Sequence, residues 1–166
     1  MLKHSRIIFC VFGLIIAFSG YAQNHYDFIN QFTYSQKLSY SKSIELLSYS
    51  NVGNLINQGN GLTIMLQDND FFNRLSAMEN NSLFVLHDIN AINLFLNSYT
   101  VNGIWDQPSI SAGINTNGKV LEINSLSGKP IQFSRHLNTF LIVQPNAFEA
   151  NVLGSQHIAQ SVFLFL

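Results

Sequence analysis

The chain has 166 residues, of which 47% are hydrophobic and only 10% charged, with a formal net charge of −1. That balance offers no basic face for nucleic acid or anionic lipid. With a single cysteine, Cys10, no disulfide framework can hold the chain together, so its stability has to come from a packed core.

Lys3 and Arg6 precede an apolar run over 7–18, which ends at Gly20-Tyr21-Ala22. A short apolar core with a basic start and a small-residue end reads as a secretory signal peptide spanning 1–22. A membrane-spanning helix needs about 20 apolar residues, more than this run supplies. Cys10 follows Ile7-Ile8-Phe9 rather than the small residues of a lipoprotein site, so no lipid anchor is expected there. Beyond Ala22 the chain has six basic residues and nine acids, a net of −3, and no cysteine. A domain of this size buries roughly 68% of its unfolded surface, enough to stand alone, and no membrane insertion is expected after signal removal. Abundant Asn and Ser imply a neutral polar surface, compatible with sugars or another neutral surface as partner.

Residues 23–42 form a polar lead-in, with one short helix expected around Tyr26, Ile29 and Phe32. The domain proper is expected over 43–166. Ile44, Leu47, Val52, Leu55 and Ile56 recur near a 3.6-residue period, interrupted at Asn51 and Gly53, which predicts two short helices or one broken one. The turn Gln58-Gly59-Asn60-Gly61 follows, and the apolar run 62–66 predicts a fully buried strand.

Asp68 is placed to cap the next helix, with Phe71, Phe72 and Leu75 behind it. Asp68 and Asp70 lack a third ligand at suitable spacing, so capping explains them better than a metal, and no metal or other cofactor is expected. Ser82 is expected to cap a short helix through His87, and Asp88 a second one with an apolar face of Ile89, Ile92, Phe95 and Leu96. His87-Asp88 lacks the further ligands of a metal-dependent phosphohydrolase and reads as a helix junction. Asn80-Asn81-Ser82 matches a glycosylation acceptor, should the chain be a secreted eukaryotic protein.

Residues 99–101 read as a strand, followed by an exposed Trp105 beside an Asp106-Gln107-Pro108 loop. The remainder is β-rich. Strands over 120–126 and 131–135 are joined by Ser127-Gly128-Lys129-Pro130, with Leu121, Ile123, Ile131 and Phe133 facing inward. The apolar run 140–143 reads as a central strand covered on both faces, and 157–165 as a last strand inside the fold.

Three segments carry a resemblance. Residues 63–75, TIMLQDNDFFNRL, resemble the first signature of the fasciclin-type (FAS1) adhesion domain. Thr63, Ile64, Asn69 and Phe72 are in register with it, Leu66-Gln67 replaces an Ala-Pro pair, and Asp68 replaces a Thr that caps as well. Residues 96–103, LNSYTVNG, and 126–133, LSGKPIQF, are similar to two further family segments, with Val101, Gly103 and Gly128 matching. Residues 154–165, GSQHIAQSVFLF, resemble the second signature through Gly154, His157, Ile158, Val162 and Leu164. Leu153 and Gln160 depart from it.

The resemblance implies an α+β fold, a FAS1-like sandwich wedge of about seven strands in two packed sheets with several short helices on one side. It also implies a role in adhesion or binding. In some members of the family a Tyr-His pair is tied to adhesion, and the matching positions here are Ser98 and Tyr99. With Trp105 and His157 these are the candidate binding residues; Trp105 offers a ring for sugar stacking, whereas His157 also fits a core imidazole bonded to backbone. Thr63, Asp68, Asn69, Phe72, Gly128, Gly154 and Ile158 carry the structural motif. There is no Gly-x-Ser-x-Gly elbow, phosphate loop or His-Glu-x-x-His helix, and Ser39-x-x-Lys42 has no companion motif, so no enzyme is expected. The expected function is that of an exported, non-enzymatic binding or adhesion protein at a cell surface or matrix, with a surface protein or glycan as partner. The alternative is an extracytoplasmic carrier holding a small apolar ligand among its 14 phenylalanines.

Overall fold

The computed structural model describes residues 26–116, 119–136, 139–143 and 149–166. The expected signal peptide lies outside them. Tyr26, Phe28 and Phe32, around a short 3-10 turn Asp27–Gln31, are buried in the main core, so the polar lead-in is anchored by its aromatic rings. It contributes a helix of its own, α1 (Tyr34–Ser39). This opens with a capping box in which Gln36 N–H donates to Thr33 Oγ1 at 3.3 Å and Thr33 N–H donates to Gln36 Oε1 at 2.8 Å.

The broken helix expected over 44–56 is two helices, α2 (Ser41–Ser48) and α3 (Asn51–Asn57). Ser50 makes the break by accepting from Gly53 N–H at 3.0 Å. Gly53 lies so close to the Leu47 carbonyl oxygen that a Cβ would collide with it, which accounts for a glycine inside a helix. β1 (Leu62–Leu66) is buried along its whole length. Asp68 then starts α4 (Asn69–Asn73), its Oδ1 accepting from Phe71 N–H at 2.8 Å.

Ser82 is not a helix cap. Ser76 forms the box with Glu79 instead, starting α5 (Ala77–Asn80) six residues earlier, and α5 runs directly into a π turn, Asn81–Val85, that contains Ser82. Asp88 does cap α6 (Ile89–Ser98), accepting from Asn90 N–H at 2.9 Å. Ile92 and Leu96 are buried on its inner face, whereas Ile89 is exposed. β2 (Thr100–Asn102) follows.

The Asp106-Gln107-Pro108 stretch is a helix start rather than a loop. Asp106 Oδ1 accepts from Ser109 N–H at 2.9 Å, and α7 (Gln107–Thr116) buries Ile110 and Ile114, one turn apart. Pro108 is tolerated because the first turn of a helix needs no N–H donor. The hairpin β3 (Val120–Asn124) with β4 (Pro130–His136) pairs Leu121 with Phe133 and Ile123 with Ile131, as the alternation predicts. Gly128 turns it at φ 80°.

β5 (Thr139–Val143) lies between β4 and β6 (Glu149–Asn151); its side chains lie outside the described ones. The expected last strand is two: β7 (Gly154–Ile158) and β8 (Ser161–Phe165). They are joined by Ala159 and Gln160, both at positive φ (47° and 64°), a turn geometry that matches strand twist.

Among the described residues eight strands form two four-stranded sheets, ordered β2-β1-β8-β7 and β3-β4-β5-β6. In the first, β1 and β8 run parallel at the centre, pairing Thr63 with Val162 through Leu66 with Phe165. Parallel central strands are covered on both faces, and the alternation of side chains shows by what. Leu62, Ile64, Leu66, Phe163 and Phe165 join the helices in the main core. Met65, Val162 and Leu164 turn the other way, onto Leu121, Ile131 and Phe133 of the second sheet and Ile110 and Ile114 of α7. The result is a two-sheet sandwich with most of its helices on the outer face of the first sheet and α7 against the inter-sheet core, an α+β fold.

Candidate functional site

The helical side of the molecule carries an open groove of about 370 Å³. One wall is Leu75, ahead of the Ser76 cap, with Met78, Glu79, Ser82 and Leu83, which recur at i, i+1, i+4, i+5 through α5 and the π turn. The other is Ala91, Leu94, Phe95 and Ser98, the same spacing on α6, with Tyr99 at its inner end. Met78 is 78% exposed and Leu94 65%, so both leave apolar surface in water that neighbouring helices do not cover. Helical spacing across 78–83 is the signal for this wall; a helix start expected at Ser82 hides it.

Ser98 and Tyr99 therefore line a recess together. Ser98 Oγ donates to Leu94 O at 2.9 Å and lies 3.3 Å from the Ser127 hydroxyl, tying α6 to the β3–β4 turn. The Tyr99 ring packs 5.1 Å from Phe95 and 6.2 Å from Phe71, and burial raises the pKa of its phenol. Glu79 is held as an anion, its pKa lowered first by the Ser76 side chain, which donates to Oε2 at 2.6 Å, and then by Ser76 N–H at 2.9 Å.

Trp105 and His157 sit elsewhere, Trp105 just beyond β2 and next to Asp106, and His157 on β7, whose side chain reaches that same Asp106. Trp105 is half-buried rather than exposed: its ring packs against the inter-sheet core, its indole N–H donates to Asn102 O at 3.0 Å, and its backbone N–H donates to Thr63 Oγ1 at 2.8 Å. His157 is not a core imidazole. Its strand partner Val162 is buried between the sheets, but β7 is an edge strand, and His157 overhangs the rim with its side chain 60% exposed, 3.5 Å from Asp106 Oδ2. The four candidate residues thus fall into two separate pairs.

The motif residues are structural. Thr63 is fully buried, donating to Gly103 O at 2.8 Å while accepting from Trp105. Asn69 accepts from Lys42 N–H at 3.1 Å and donates to Leu38 O at 2.8 Å, clamping α4 to the start of α2. Phe72 is fully buried against Phe71, Phe84 and Phe95. Gly154 opens β7 opposite Phe165, and Ile158 closes it in the main core. Among the described residues no group of three His, Cys, Asp or Glu is placed to hold a metal, and no helix is long and apolar enough to cross a membrane.

No protein-family model matches the chain, and no curated protein does. Architecture defines the class: an α+β sandwich of two sheets with most of its helices on one side. Among solved structures the chain is similar to the FAS1 domain pair of the insect cell adhesion molecule Fasciclin I, with a TM-score of 0.58 and 15% identity over 78% of this chain. The fold is FAS1-like. The match spans 44% of that structure's chain.

Proposed function

We propose that this chain is an exported, non-enzymatic binding or adhesion protein acting at a cell surface or extracellular matrix, with a surface protein or a glycan as its partner. The observation that carries the reading is the FAS1-like fold, shared with a domain pair from a cell adhesion molecule. Export rests on the basic, apolar and small-residue order of 1–22. The neutral polar composition and low charge suit a partner that is itself weakly charged. Retention of the purified protein on cells or on a glycan array is the expected result; failure to be retained on any surface overturns the reading.

A second reading, a carrier of a small apolar ligand, is favoured by the groove and not by the phenylalanine core. Phe28, Phe72, Phe133 and Phe163 fill the interior as fully buried rings, whereas the groove offers about 370 Å³ on the surface, within the range of ligand sites.

A further inference from the structure

The geometry points to the trough between α5 and α6 as a binding site for a cationic amphiphile, a molecule with one apolar tail and an ammonium or similar head. The inference rests on the carrier reading of this groove and names its ligand class. Three observations converge. Met78, Leu94 and Phe95 provide an apolar channel along which a tail lies. Tyr99, packed on Phe95 and Phe71, adds an aromatic ring to the lining, a surface that suits a cation as well as a methylene chain.

Charge decides the head. Of the ten residues lining the groove, Glu79 is the only charged one. The Ser76 capping box fixes its carboxylate through Oε2, keeps it ionised, and leaves Oε1 without a hydrogen bond among the described residues. No Lys or Arg pairs with it there. An anionic head would be repelled at the rim and a neutral one would gain nothing from Glu79, whereas an ammonium meets a carboxylate already held through its other oxygen.

The test is calorimetric titration of the protein with three twelve-carbon probes below their micellar concentrations: dodecyltrimethylammonium, dodecyl maltoside and dodecyl sulfate. The cation is expected to bind about threefold more tightly than the neutral probe, the modest factor appropriate to an exposed carboxylate. In Glu79→Gln that preference should vanish, and Gln preserves the capping box, so the helix start survives. Leu94→Trp, at a position already exposed, should block all three probes by filling the trough. Equal binding of the three probes by the unaltered protein overturns the cationic assignment while leaving a ligand groove in place. Binding that Leu94→Trp does not change overturns the location. Binding of none of them removes the carrier reading and the inference with it.

Discussion

The His157 imidazole and the Asp106 carboxylate stand 3.5 Å apart, joining the edge strand β7 to the start of α7. Asp106 has two tasks there. Hydrogen bonds from the Ser109 side chain and backbone pull its pKa below the ordinary 3.8, and His157 lowers it further. A carboxyl depressed by folding adds stability above its unfolded pKa and loses it as pH falls through the lower folded value. Asp106→Ala is therefore expected to cost about 1 kcal/mol at neutral pH, chiefly through the lost cap. Asp106→Asn, which still caps, should cost a few tenths. Urea denaturation at pH 7 and below pH 3.8 checks both, and the penalty of the alanine variant should shrink in acid.

Thr63 offers a sharper test of how β1 is tied to the segment after β2. Its buried hydroxyl donates to Gly103 O and accepts from Trp105 N–H, each at 2.8 Å. Thr63→Val keeps the shape and removes both bonds, leaving a carbonyl and an amide without partners. The expected cost is about 2 kcal/mol. Because Trp105 is the single tryptophan, its fluorescence reports the same event, and a red shift in the folded variant is expected as the indole loosens from its packing.

How much of this was legible depends on whether the signal is local. Asp68, Asp88 and the buried run of β1 are decided by neighbours within four residues, and the sequence reads them correctly. The hairpin of β3 and β4 is likewise local, with Gly128 at a positive φ that its sequence position predicts. The failures have local causes too: Ser76-x-x-Glu79 outcompetes Ser82, and Asp106 ahead of Gln107-Pro108 is a helix start that resembles a loop. What sequence could not supply is which face a neighbour covers. His157 has a buried strand partner and is still exposed, because β7 is at an edge. Met78 and Leu94 are left in water because, among the described residues, no third helix covers the trough, which no local pattern announces.

Gln67 runs against the usual cost of a substitution. It is 3% exposed, and among the described residues neither its Nε2 nor its Oε1 has a hydrogen-bond partner, although its backbone carbonyl accepts from Ser43 Oγ at 2.7 Å. A buried amide without partners costs about 1 to 3 kcal/mol relative to one that is satisfied. Gln67→Met, of similar length and without polar ends, should raise stability by about 1 kcal/mol, read as a higher urea midpoint at unchanged m-value. A lower midpoint would mean that an ordered water satisfies the amide in solution.

The parallel pairing of β8 with β1 makes the last residues of the chain the centre of the first sheet rather than its margin. Val162, Phe163 and Leu164 are all fully buried, and Phe163 meets Phe32 edge-on at 5.0 Å and stacks on Phe28 at 6.1 Å, so β8 also holds the lead-in rings in place. Phe163→Ala is expected to cost about 3–5 kcal/mol, the range for a large ring removed from a core that cannot collapse around the gap. Deleting 162–166 goes further: β1 and β7 each lose a partner, and two strand edges open to solvent. That truncated protein should show no cooperative urea transition and should aggregate on concentration. A cooperative unfolding curve from the truncated chain would mean that the helical layer folds without its sheet, and the sandwich would not be the unit that holds this protein together.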